Sequence, residues 1–199
     1  MPLSTEDVIG FVETELEALG GKVKFFKGKY CGGAKNKCVG LFYIDCKGYP
    51  VIKVAKGKQT EAEWVGVLLH EYNHLTQWRD NTPVWEKFCE QEGSCHDMID
   101  NPKKNKKALL DLMALELDCE KKTCYIIKDN KLFCHKEYVQ MANAVLYKYA
   151  FLIKHNYWPK EGKIKDLKVW KSCRTTLRPK VADYLNIPAK LENIFLSRD

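Results

Sequence analysis

Apolar residues at Val8, Ile9, Val12, Leu16 and Leu19 recur at helical spacing. Ser4 or Thr5 suits the N-cap of that helix, Glu6 and Asp7 suit its first turn, and Gly20-Gly21 ends it. The period then changes. Residues 22–26 and 39–45 alternate as strands, with a Gly- and Lys-rich loop over 27–37 between them. Residues 46–49 read as a turn. Residues 50–55 form the second arm of a hairpin, with Pro50 at the strand start, where its missing N–H matters least. Thr60 is the next N-cap, with Glu61 and Glu63 behind it, and a long helix runs to Arg79-Asp80-Asn81 ahead of Pro83. Residues 82–107 read as a partly helical excursion around Trp85 and Phe88 that turns at Asn101-Pro102. Helical patterns resume over 108–127 and 136–155. After Trp158, Pro159, Pro179 and Pro188 divide the chain into short packed helices. The expected class is α+β, a small antiparallel or mixed sheet packed on the helix after the hairpin and on further helices. Residues 1–157 are expected to form the main domain and 158–199 a helical extension packed on it.

A chain of 199 residues, 45% hydrophobic, is long enough for one domain with a real core. No run of 18 apolar residues predicts a membrane span, and the polar start of the chain lacks a signal-peptide pattern, so a cytoplasmic protein is expected. Nine cysteines, an odd number, argue against a full disulfide framework. Cys31, Cys38 and Cys46 cluster without a standard zinc-knuckle spacing, and Cys89 with Cys95-His96 is a looser group. The formal charge is +7. Lys103, Lys104, Lys106 and Lys107 form one run, and Lys160, Lys163, Lys165, Lys168 and Lys171 another. Such runs ordinarily mark solvated loops and helix starts; the functional alternative is a surface for an acidic or nucleic-acid partner.

Candidate chemistry centres on the helix after the hairpin. His70-Glu71-Tyr72-Asn73-His74 is an H-E-x-x-H string. On a helix the two histidines share a face one turn apart and aim two imidazoles at one metal ion, with Glu71 beside them to act on a metal-activated water. The string lies among Leu68, Leu69, Leu75, Trp64 and Trp78. Histidines and a carboxylate in apolar surroundings carry a desolvation cost that a metal removes. The plain alternative is a helix whose histidines are satisfied by core hydrogen bonds. Asn73 needs no role, and Gln77 and Trp78 wall the site.

The helix over 108–127 places Leu109, Met113, Glu116, Glu120 and Cys124 on one face. Two carboxylates on an apolar stripe are explained if Glu116 is a third metal ligand and Glu120 a carboxylate behind it, or the reverse. Otherwise both turn outward to Lys121 or Lys122.

The hairpin, the H-E-Y-N-H helix and the later Glu116-Leu-Asp-Cys-Glu120 string resemble, in order, the zincin metallopeptidases of the glutamate-third-ligand (gluzincin) branch. Forty-one residues separate His74 from Glu116, and Glu120 stands where that branch carries Asp or Asn. The chain is also similar to short H-E-x-x-H proteins of phages and large viruses, which would place it in a host cell. The resemblance covers roughly residues 39–127. It implies a minimal zincin-like fold, a single Zn²⁺ held by His70, His74 and Glu116, and peptide hydrolysis with Glu71 as general base. It also implies that strand 51–55 is a sheet edge on which a substrate peptide adds as a further strand. Tyr125, Tyr138, Tyr147 and His155 are candidate oxyanion donors. Two other functions compete: a zinc-binding interaction protein without catalysis, and a nucleic-acid-associated protease acting on DNA-bound protein, as in Spartan-like zincins.

Overall fold

The computed structural model of the chain describes residues 3–32, 38–91, 95–159 and 167–197, without the side chains of 95–97 and 167–168. Part of the Gly/Lys-rich loop, the first two residues, Lys160, Lys163, Lys165 and the side chains of Lys168, Cys95 and His96 therefore lie outside what is described.

Helix α1 (Thr5–Glu17) starts at Ser4, whose hydroxyl accepts from the Asp7 N–H at 3.1 Å while the Asp7 carboxylate accepts from the Ser4 N–H at 2.8 Å. A cap of this kind stabilises a helix by about 1 kcal/mol. Gly20, at φ 71°, turns the chain out of the helix where a side chain would be strained. Strands β1 (Lys22–Phe26), β2 (Gly40–Ile44) and β3 (Pro50–Ala55) form one mixed sheet in the order β1-β3-β2. β1 runs parallel to β3, and β2 pairs antiparallel with it from Ile44↔Pro50 to Gly40↔Val54. The hairpin expectation holds and the fold is α+β.

The edge expectation for strand 51–55 does not hold. β3 lies at the centre of the sheet, paired on both sides. Its residues Val51, Ile52, Val54 and Ala55 are buried on both faces, the signature of an interior strand, whereas β2 is half-buried throughout. Among the described residues, the open edge on the hairpin side belongs to β2.

Helix α2 (Glu61–Arg79) begins at a second capping box, Thr60 with Glu63, and packs on β2 and β3. It is followed by α3 (Pro83–Cys89), α4 (Cys95–Asp100), α5 (Lys106–Asn130), α6 (His135–His155), α7 (Leu167–Ser172), α8 (Val181–Leu185) and α9 (Ala189–Leu196). The chain divides into two compact units: Met1–Asp80 with Lys122–Phe133, and Asn81–Lys121 with Cys134–Asp199. α5 is one unbroken helix whose two parts are counted in different units. In the first unit Val12, Leu16, Ile52, Leu68 and Leu75 are fully buried. In the second, Leu109, Met113, Phe151, Val169 and Leu191 centre a core that takes in α7–α9. Among the described residues no helix is long and apolar enough to cross a membrane. The cysteines with described side chains are all unbridged.

Candidate metal centre

No glycine or proline interrupts α2 after Gly66, so its final turns are regular and His70 and His74 stack one turn apart. Their Nε2 atoms face each other at 3.1 Å, with the rings nearly perpendicular at 83°. His74 Nδ1 lies 2.8 Å from Gln77 Oε1, in a place shielded from water. With the amide oxygen as acceptor, the ring proton sits on Nδ1 and the lone pair on Nε2, the nitrogen aimed at His70. Gln77 thus fixes the tautomer a metal ligand needs, rather than simply walling the site.

Asn73, between the histidines, also has a role. Its Nδ2 donates to Leu69 O and to Thr123 Oγ1, both at 2.9 Å. This bond fixes the Thr123 turn of α5 beside α2. Cys119 lies four residues earlier on the same unbroken helix, hence on the same face one turn on. His70, His74 and Cys119 offer imidazole nitrogens and a thiol that all lie within 4.8 Å of one another, with His74 and Cys119 buried. They are the one such group among the described residues, and neither Glu116 nor Glu120 joins it.

The glutamate expectation for the third ligand now stands beside a thiol on the same helix. At 3.6 residues per turn, Cys119 lies about 60° around α5 from Glu116, and about 100° from Glu120. Zinc with tetrahedral angles, Zn–N of about 2.0–2.1 Å and Zn–S of about 2.3 Å, requires ligand atoms roughly 3.4–3.6 Å apart. The 3.1 Å nitrogen pair and the 4.8 Å limit bracket that spacing. Imidazole and thiolate donors are also the types zinc favours. The residues present fit the ion.

Glu71 is buried beside His70 and faces the first residue of β2. A Cβ at Gly40 would collide with Glu71 Oε1 and Val67 Cγ1, so only glycine lets the strand approach the carboxylate this closely. Phe42, two residues on, meets Trp78 at 6.3 Å between ring centroids.

Several of the remaining candidates have other partners. Glu120 is buried and accepts a hydrogen bond from the Tyr138 hydroxyl at 2.9 Å. Glu116 is half-buried on α5. The Tyr147 hydroxyl accepts from Arg178 Nε at 2.8 Å, and His155 Nε2 pairs with Glu192 Oε1 at 2.6 Å. Tyr125 is exposed. Lys103, Lys104, Lys106 and Lys107 are exposed around the start of α5. Cys31 and Cys38 bring their sulfurs to 3.9 Å, while Cys46 is exposed, and the three form no metal-ligating group.

Sequence reasoning missed Cys119, Gln77, Asn73 and Gly40. For Cys119 a signal existed in its helical spacing from Thr123, but a cysteine on an apolar helix reads as a small core residue. No protein-family model, no curated protein and no solved structure matches this chain.

Proposed function

We propose that this protein is a zinc peptidase whose ligands are His70, His74 and Cys119 and whose general base is Glu71. The observation that carries the reading is the convergence of two imidazoles and a thiol on one point, with a buried carboxylate one residue from the first histidine. Two neutral nitrogens and one thiolate leave the ion a net positive charge and an open coordination position, as catalytic zinc sites do. When bound, zinc supplies Lewis acidity to a substrate carbonyl and makes water acidic enough to attack near neutral pH.

The protein's own groups do the rest. Gln77 holds the His74 tautomer, and Asn73 holds the α5 turn that carries Cys119. Glu71 takes the proton of the attacking water and returns it to the leaving nitrogen. Simple zinc storage needs no such carboxylate, which favours hydrolysis over an interaction role. Substrate backbone is proposed to add to the open edge of β2, where main-chain N–H and C=O groups point away from β3. Gly40 brings that edge against Glu71, so the peptide lies beside the base.

The test combines metal analysis with turnover on a casein or peptide-library substrate. Wild type is expected to hold one equivalent of zinc, and His74→Ala and Cys119→Ala to lose it. Glu116→Gln is expected to retain it. Glu71→Gln is expected to keep zinc and lose turnover by at least about 100-fold, the usual scale of general-base catalysis. Zinc retained in Cys119→Ala but lost in Glu116→Gln would replace the thiol with the glutamate. Unchanged turnover in Glu71→Gln would remove the peptidase reading.

A further inference from the structure

The first unit holds a second reactive group beside Glu71, and the metal chemistry does not use it. Cys38 lies two residues ahead of Gly40, where the chain enters β2. The Cys31 N–H donates to the Cys38 carbonyl at 2.9 Å, which fixes the two backbones side by side. Their sulfurs are 3.9 Å apart. Cys31 is buried, with its thiol 3.5 Å from the Cys38 carbonyl and 3.7 Å from that of Lys53. The two thiols are unequal. Donation from the Cys31 S–H, helped by the charge of Lys53, brings the Cys38 thiol down to about 7. The same hydrogen bond, together with burial and the negative charge of Glu71, pushes the Cys31 thiol up. One sulfur is therefore set up to attack and the other to follow. Cys38 stands two residues ahead of Gly40, whose Cα packs close to the Glu71 carboxylate, so the pair lies near the base.

We propose that Cys31 and Cys38 form a reversible intramolecular disulfide that makes the start of β2 an oxidant-sensitive element next to Glu71. With hydrogen peroxide as oxidant, the Cys38 thiolate attacks one peroxide oxygen. The O–O bond breaks, and the departing hydroxide takes a proton to become water. The Cys31 sulfur then attacks the sulfur of the resulting sulfenic acid. An S–S bond forms, the S–O bond breaks, and the leaving hydroxide takes the Cys31 proton as a second water. Two thiols lose two electrons, and one peroxide gains them. A disulfide requires the sulfurs at about 2.05 Å, so the pair must close by nearly 2 Å. Cys38 leads two residues on into Gly40, so closing the pair acts on the strand entrance beside the Glu71 carboxylate. The oxidised form therefore alters the base and the strand edge together.

The disulfide itself is independent of the peptidase reading; only its effect on turnover rests on it. The full-length protein is treated with limiting peroxide and then mapped by mass spectrometry. The expected product is two hydrogens lighter, linked from Cys31 to Cys38, and restored by dithiothreitol. Cys31→Ser and Cys38→Ser should each abolish the link. Iodoacetamide should label Cys38 with a half-maximal rate near pH 7, and Cys31→Ala should shift that midpoint upward. Hydrogen exchange across residues 40–44 should change in the linked protein, a readout that needs no activity. Peroxide that links other cysteines, or that drives Cys38 to sulfinic acid without a link, overturns the proposal. A link that leaves both hydrogen exchange at β2 and any Glu71-dependent turnover unchanged overturns the coupling to the base.

Discussion

Two buried polar clusters in this protein solve the cost of burial in different ways. In the second unit, the Tyr184 hydroxyl donates to Asn143 Oδ1 at 2.6 Å and accepts from the Arg178 N–H at 3.0 Å. Asn143 Nδ2 donates to the carbonyls of Arg174 and Thr176, and Arg178 Nε donates to the Tyr147 hydroxyl. Every one of these bonds pairs a donor with an acceptor, so the network is complete as protein alone. Burial pushes the Tyr184 hydroxyl well above its ordinary range, and it stays a donor. The His70, His74 and Cys119 group differs in kind. It brings donor atoms of metal-ligand type to one point, an arrangement that could hold a cation. One cluster is closed by hydrogen bonds; the other is a group that could hold a metal ion.

The comparison breaks most readily at the metal. A ligand that binds only the folded state at about a thousand times its dissociation constant stabilises it by about 4 kcal/mol. Chelation of the purified protein, followed by urea unfolding, should therefore give the largest loss, reversed by added zinc. His74→Ala should lose the zinc-dependent part altogether. Stability indifferent to chelator would make the two clusters alike. The next effect is expected in the other cluster. Tyr184→Phe removes one hydroxyl and leaves Asn143 Oδ1 and the Arg178 N–H without it, at a cost of about 1–3 kcal/mol. Its zinc content should match wild type, and a variant that loses zinc as well would show the clusters to be coupled.

Sequence patterning identified the closed parts of the fold better than the open one. The capping boxes at Ser4 and Thr60, the hairpin across residues 46–49 and the long helices all follow from local residue chemistry, and all are present. The H-E-x-x-H pair was legible for the same reason, since a four-residue spacing on a helix is itself local geometry. Which side chain of α5 comes near the histidines depends on contacts between segments far apart in sequence, such as the Asn73–Thr123 bond across 50 residues. No local pattern encodes such contacts, and a carboxylate is chemically the more conspicuous candidate. The central place of β3 was readable after all, because Pro50–Ala55 is apolar on both faces and the alternation of an edge strand is missing. The glycine at residue 40 gave no signal, because its reason is the carboxylate of a residue on another element.

Gln77 sharpens the comparison further, since it is a hydrogen-bonding residue within the metal group. Partners behind a metal ligand typically change affinity 10- to 100-fold when removed. Gln77→Ala should weaken zinc by that factor in a competition titration with a chromophoric chelator, without abolishing it. Gln77→Glu should preserve or strengthen binding, because a carboxylate accepts the same Nδ1–H. If Gln77→Ala binds zinc as wild type does, the 2.8 Å contact serves packing alone, and the assigned tautomer of His74 loses its support.

The smallest effect belongs to an ion cluster at the surface of the second unit. Lys154 Nζ and His155 Nε2 reach Glu192 Oε1 at 2.7 and 2.6 Å, and together they hold its carboxyl below the ordinary value of 4.5, Lys154 contributing most. A carboxyl lowered in the folded state contributes stability that is present above its unfolded value and is lost as pH falls through the folded one. Solvent screens this site, so the contribution at neutral pH should stay below about 1 kcal/mol. Glu192→Gln should be slightly less stable than wild type at pH 7, and the gap should close as the pH drops below 4.5. Zinc content should not change in either protein. A gap that widens on acidification would reverse the sign and show that Glu192 is stabilised in its protonated form. A gap as large as that of Tyr184→Phe would mean that this surface cluster is as shielded from water as the closed network, and the distinction between exposed and buried polar groups in this unit would fail.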